Sequence, residues 1–237
     1  MNVFRIASIL ALLAVLALAG CGKKAPPPAA TQAVPPRAAA PASFALETLP
    51  PVESLSAEAV NWPSDSTVEA RLDRLAGLEN ETDAERVRAV LQLALADPET
   101  SIRMSALRRL ELLPVSKAAP LLDHLIRIEP VADVRYAALD VVSHWSGPEA
   151  VPILAAALAS PHRDAKLIAS SQLSLRADKP SLEVLLTGLN EPDLDFRERV
   201  NDKIESLVDR RFPTYEEASA WWTKNAPDYD AKLFRKE

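Results

Sequence analysis

Four pairs of side chains recur along the chain at a constant separation of six residues: Asp97 with Arg103, Glu129 with Arg135, Ser160 with Lys166, and Glu191 with Arg197. Three of them join a carboxylate to a guanidinium, and Ser160 with Lys166 is a weaker version. A planar guanidinium satisfies a carboxylate and backbone carbonyls together, so an acid in the turn can meet the guanidinium of its own or the neighbouring unit, and the first chemistry this spacing offers is a ladder of ion pairs. The rival is a track of cations for an anionic ligand, but regular charge spacing is what a structural ladder requires. Catalytic signatures do not accompany the pairs. There is no Gly-rich phosphate loop, no His-Glu-x-x-His, no Gly-x-Ser-x-Gly and no Ser-x-x-Lys. His124, His144 and His162 fall on different helices and share no turn, which argues against a metal site. Ser170-Ser171 has neither His nor Lys at nucleophile spacing. The expectation is a chain that is not an enzyme and holds neither metal nor cofactor.

The elements that position these pairs are legible from prolines. Pro98, Pro130, Pro161 and Pro192 lie 32, 31 and 31 residues apart, each directly after an acid or serine and five residues before a basic side chain. A residue before proline is pushed out of the helical region, whereas proline itself is tolerated at a helix start. Each step therefore joins two helices. The apolar spacing predicts pairs over 84–96 and 101–113, 117–128 and 133–145, 150–159 and 163–175, and 180–189 and 194–208. Val68, Leu72, Leu75 and Leu78 add a capping helix in front, with Asp65 and Arg71 again six apart. Behind, a helix starting near Thr214 carries Trp221 and Trp222 as an end cap; the sharper alternative makes these two with Tyr215 and Tyr229 a recognition patch.

A period of about 30 residues in a helical chain means stacked units that bury their faces against their neighbours. The pattern resembles HEAT repeats of the short bacterial type, whose second helix opens with Asp, a branched apolar residue and Arg, followed by Ala-Leu. Asp133-Val134-Arg135 with Ala138-Leu139 matches best. Ile102-Arg103 with Ala106-Leu107 lacks the Asp, Asp164-Ala165-Lys166 replaces the Arg, and Asp195-Phe196-Arg197 loses the small residue. Pro120 and Pro152 stand where the family has a proline in its first helix. The resemblance covers about 84–208 and implies an all-α fold, a right-handed α-solenoid of about four helix pairs with helical caps.

The amino terminus has another grammar. Arg5 precedes an apolar run from Ile6 to Leu18, too short to span a membrane and suited to a secretory signal. Leu18-Ala19-Gly20-Cys21 resembles the lipobox of bacterial lipoproteins, which implies cleavage before Cys21 and lipidation of its thiol. Gly22 follows rather than the Asp associated with inner-membrane retention, so the resemblance favours the outer membrane, facing the periplasm. Cys21 is the only cysteine, and no intrachain disulfide or cysteine-based metal site can form. Residues 21–63 are rich in Pro and Ala and read as a disordered tether, with Phe44, Leu46 and Leu49 as a possible clasp. The expected organisation is a signal peptide over 1–20, a lipidated linker over 21–63 and a helical domain over 64–237.

A net charge of -6 in an exported chain argues against nucleic acid as a partner. The function these readings imply is an interaction scaffold in the cell envelope, held to the membrane by lipid, that docks an envelope protein or peptide on the face of its second helices. Ser105, Arg108, Arg109, Tyr136, Asp140, His144, Ser171, Arg199 and Lys203 fall between the inward positions and would line that face. Two alternatives stand beside it. Some short bacterial HEAT-type proteins resemble bilin lyases, a reading that an exported, lipid-anchored chain disfavours. A purely structural spacer fits the tether but lacks a cationic wall-binding tail.

Overall fold

Every acid-Pro or Ser-Pro step separates two helices in the computed structural model, which describes residues 60–63 and 66–236. The described residues form ten α-helices: α1 (Val68–Ala76), α2 (Ala84–Leu95), α3 (Thr100–Arg109), α4 (Val115–Ile128), α5 (Ala132–Ser143), α6 (Ala150–Leu158), α7 (Arg163–Arg176), α8 (Lys179–Thr187), α9 (Leu194–Val208) and α10 (Tyr215–Asn225). Among them no strand occurs, and one isolated bridge joins Tyr229 to Arg235. The fold is all-α. Cys21, the apolar run before it, the Pro/Ala-rich residues up to 59, including Phe44, Leu46 and Leu49, and Asp65 lie outside the described residues.

The turns explain why the helices stop where they do. Asp97 accepts the Glu99 N–H at 2.9 Å, Glu129 accepts the Val131 N–H at 2.9 Å, and Ser160 accepts the His162 N–H at 3.2 Å. A residue that ends one helix thus satisfies a backbone donor at the start of the next. Asp83, Asp178, Asp193 and Thr214 cap α2, α8, α9 and α10 in the ordinary way. Four boundaries differ from the periodicity by two residues or more, among them the ends of α5 at Ser143, not 145, and of α8 at Thr187, not 189. α4 starts at Val115, not Lys117, because Pro114 opens it. α3 ends at Arg109 and tightens into a 3₁₀ turn over Leu110–Leu112 instead of continuing to Leu113.

Helices pack on their second neighbours in the chain. α1, α3, α5, α7 and α9 contact one another in that order, and so do α2, α4, α6, α8 and α10, giving two layers with each turn joining them. The odd helices share a register. The residue before each basic side chain is Ile102, Val134, Ala165 or Phe196, and all four are essentially inaccessible. Four residues further on come Ala106, Ala138, Ala169 and Val200, and eight further on Leu110, Val142, Leu173 and Ile204, again buried. Each Leu, Ile or Val so placed contributes roughly 1.5–3 kcal/mol by leaving water. Phe196 is far larger than Ala165, and room for it comes from Gly188, since a Cβ there would sit 3.1 Å from Val200 and 3.7 Å from the Phe196 ring. At the position after the alanine, Leu107 and Leu139 give way to Ser170 and Asn201. Asn201 faces backbone rather than another helix, and its amide both donates to the Phe212 carbonyl at 2.7 Å and accepts the Phe212 N–H at 2.9 Å.

Both ends are closed by specific packing. Val60 is 1% exposed and Trp62 8%, and Arg74 donates to the Val60 carbonyl at 3.1 Å, so packing begins upstream of the expected boundary at residue 64. At the other end α10 rests on α8, with the tail behind it bonded to the start of α8. Lys179 donates through Nζ to the Ala226 carbonyl, just past the end of α10, at 2.8 Å, and α10 also meets the turn at Gly188–Asn190 that follows α8. α10 therefore runs antiparallel to α8. Trp222 is buried and donates to Glu183 at 3.1 Å, Tyr215 and Tyr229 are buried, and Trp221 is half-buried. Phe212, Trp221, Trp222 and Tyr229 form one aromatic cluster with centroids 5.3 to 6.1 Å apart.

Candidate functional site: a ladder of charges and the face beside it

The six-residue pairs do not close on themselves. Arg103 donates from Nη1 to the carbonyls of Asp97 and Pro98, at 2.9 and 3.0 Å, so the six-residue step reaches backbone. Its carboxylate comes from the following turn: Glu129 accepts from Nε at 2.8 Å and from Nη2 at 2.9 Å. Arg71 likewise meets Asp97 at 3.3 Å, and Lys166 meets Glu191. Ser160 cannot supply a charge to Arg135, and Asp164, the first acid of α7, takes its place at 2.8 Å while Arg135 Nη1 holds the Glu129 carbonyl at 3.0 Å. Ser160 and Lys166 do not bond. The rungs join Asp97, Glu129, Asp164 and Glu191 along one edge of the two layers. Glu129 is 2% exposed, so this pair is a desolvated, doubly hydrogen-bonded contact rather than a surface ion pair.

An exposed charge network continues the edge. Arg163 donates to Asp193 at 3.1 Å and also to Asp195, which accepts in addition from Arg199 at 3.0 Å. The Asp193 carboxyl is held below the usual range by the Arg163 hydrogen bond first and then by the Phe196 N–H. Asp195 is lowered by Arg199 first and Arg163 second, and Arg163 is raised in turn by both acids.

The nine residues assigned to the partner face stand on the odd helices and on the residue that ends α5, but not at one point. Ser171, Arg199 and Lys203 line a groove of about 610 Å³ between α7 and α9, with Leu167, Ser174, Asp202 and Ser206. Tyr136 is 61% exposed on α5, and Asp140 is exposed beside it. His144 meets the Asp140 carbonyl through Nδ1 at 2.8 Å and belongs to a separate cleft of about 270 Å³ with Trp145, Leu175 and Arg176. Arg108 is exposed, Ser105 is half-buried, and Arg109 is turned away to Glu79. Ser171 bonds the Leu167 carbonyl in its own helix at 3.0 Å.

Two features escaped the sequence pattern. Arg176 holds the turn before α6 by donating to the carbonyls of Trp145, Ser146 and Gly147 at 2.8, 3.3 and 3.0 Å. It lies outside the six-residue spacing, so nothing marked it. Arg210 stacks over Phe212 and Trp221, 5.4 and 5.7 Å from their centroids, at a cleft of about 940 Å³ between the end of α9, α10 and the carboxyl-terminal loop. Among the described residues no group of three or more His, Cys, Asp or Glu is placed to hold a metal ion, and no helix is long and apolar enough to cross a membrane.

Fold and face together define an all-α protein of two helical layers, tied along one edge by buried ion pairs and carrying a polar surface on its odd helices. No family model, curated protein or solved structure matches the chain.

Proposed function

We propose that this chain is a lipid-anchored envelope protein whose helix pairs form a HEAT-like α-solenoid, and that it works as a protein–protein interaction scaffold. Anchorage rests on Leu18-Ala19-Gly20-Cys21 behind an apolar run, with the outer membrane favoured by Gly22. The solenoid reading rests on the second-neighbour packing of both layers and on the recurrence of one rung per turn. The observation that carries the scaffold reading is the odd-helix face: Ser171, Arg199 and Lys203 share an open groove, and Tyr136 projects into solvent from the neighbouring α5. Mixed charge with one exposed aromatic suits a modest polar interface. The test is site-specific photocrosslinking in intact cells from position 136 and position 203, with position 86 on α2 as control. A discrete adduct from the odd-helix positions alone supports the assignment, and the adduct from position 203 should vanish when Arg108 and Tyr136 are both replaced by Ala with helicity unchanged. Adducts equal from all three positions discard this face. Mass spectrometry of the mature chain tests anchorage separately: an unmodified Cys21, or retention of residues 1–20, refutes it.

A further inference from the structure

We infer that the Nε and Nη2 edge of Arg197 is a receptor for one carboxylate brought by another protein chain, an Asp or Glu side chain or a chain terminus. The inner rungs define what such an edge does. Arg103 places Nη1 on carbonyls of its own turn and takes the Glu129 carboxylate on Nε and Nη2. Arg135 repeats this with the Glu129 carbonyl on Nη1 and Asp164 on Nε and Nη2 at 3.2 and 2.8 Å. Arg197 makes the same first contact, Nη1 to the Glu191 carbonyl at 3.1 Å, over the same six-residue step. Its guanidinium is therefore held as the others are.

The second contact is missing because the odd layer stops. Among the described residues no odd-numbered helix packs beyond α9 and no carboxylate meets Arg197. Nearby acids are committed elsewhere: Glu191 to Lys166, Asp193 to Arg163 and the Phe196 N–H, Asp195 to Arg163 and Arg199. The side chain is half-buried, yet none of its nitrogens is among the buried unpartnered atoms, so solvent reaches the open edge. A guanidinium already fixed by a backbone bond loses less freedom on taking a carboxylate, and its fork favours a bidentate oxyanion. This position is distinct from the groove between α7 and α9 and stands whether or not that groove takes a partner.

The experiment is a titration of the full chain, ¹⁵N-labelled at arginine, with N-acetyl-aspartate amide and, separately, inorganic phosphate at constant ionic strength, reading the Nε–Hε resonances. The Arg197 signal is identified by its loss in Arg197→Lys. It should shift saturably with a midpoint about ten-fold lower than that of exposed Arg108, while Arg103 and Arg135, whose edges are filled, stay still. A response that merely tracks Arg108 overturns the inference. Phosphate saturating Arg197 as well as the carboxylate does overturns the carboxylate assignment. Sedimentation across protein concentrations then separates the donors: self-association abolished in Arg197→Met assigns the carboxylate to a second copy, and a monomer throughout assigns it to a different protein.

Discussion

Replacing Glu129 by Ala should be among the most damaging single changes at the surface-to-core boundary of this chain. The carboxylate is 2% exposed and its partner Arg103 9%, both by side chain. Removing it leaves a buried guanidinium with the Asp97 and Pro98 carbonyls and a long contact to the Thr100 hydroxyl at 3.4 Å, and leaves the Val131 N–H without its acceptor. Breaking one side of a buried pair costs about 3–5 kcal/mol, because the remaining charge stays desolvated. Removing both sides should cost much less: Arg103→Met with Glu129→Leu should lie within about 1–2 kcal/mol of the parent, since apolar groups of similar volume need no partner. The internal reference is Asp123→Ala, whose pair with Arg127 on the exposed side of α4 at 2.9 Å is worth no more than about 0.5 kcal/mol. Urea unfolding followed by circular dichroism measures all three. The slope of each transition matters as much as its midpoint, because a lowered slope would mean that the helices on the two sides of the broken rung unfold separately. The reasoning is refuted if Glu129→Ala costs no more than Asp123→Ala, or if the double replacement costs as much as the single one.

Other substitutions read other contacts. Ala177 follows α7 with φ 47° and ψ 48°, a left-handed conformation that disfavours any L side chain, so Ala177→Gly should stabilise the fold by about 0.5–1 kcal/mol in the same unfolding assay despite the greater freedom of glycine when unfolded. Gly188→Ala would press a methyl against both methyls of Val200, at 3.1 and 3.2 Å; Val200 is fully buried and has no room to give, so the change should cost about 1–2 kcal/mol after the roughly 1 kcal/mol that alanine gains over glycine in helical backbone. Asn201→Ala should cost about 1–3 kcal/mol by leaving the Phe212 N–H and carbonyl unpaired, with amide exchange at Phe212 accelerated. The Asp193 carboxyl is lowered in the folded chain, so its contribution is present above the ordinary Asp value near about 4 and lost as pH falls through the lower, folded value. A carboxyl-carbon titration should place its midpoint below about 4 and move it upward in Arg163→Met; a midpoint at or above about 4 in the parent contradicts the geometry.

Helix order could be read because proline acts locally. At Pro98, Pro130, Pro161 and Pro192, each preceded by an acid or serine, one helix ends and the next begins, whereas Pro120 is carried inside α4; the Leu194–Val208 helix lies where its periodicity put it. What crossed between helices was harder to read. The spacing of Glu129 to Arg135 left open whether an acid meets the guanidinium of its own or the neighbouring unit; six residues bring the guanidinium to a carbonyl, and the carboxylate belongs to the turn one period away, a choice that packing alone makes. Asp164 standing in for Ser160 is of the same kind: the chain shows both residues but not which of them Arg135 can reach. Val60 and Trp62 were hidden by the proline-rich composition around them. The nine residues of the outer face were chosen by helical spacing, which selects a side and not a location, so they divide among a groove, a separate cleft and open surface. The direction of α10 was invisible, because an aromatic pattern buries equally well either way round.

That reversal has a consequence for how such a chain could lengthen. A duplicated hairpin inserted upstream would arrive with its own acid for the preceding base and its own carbonyl for the base it carries, so both seams could heal without new residues. An addition after α10 would find no parallel neighbour to dock on. The repeat can thus be lengthened by insertion ahead of α10, where each seam keeps the same two contacts.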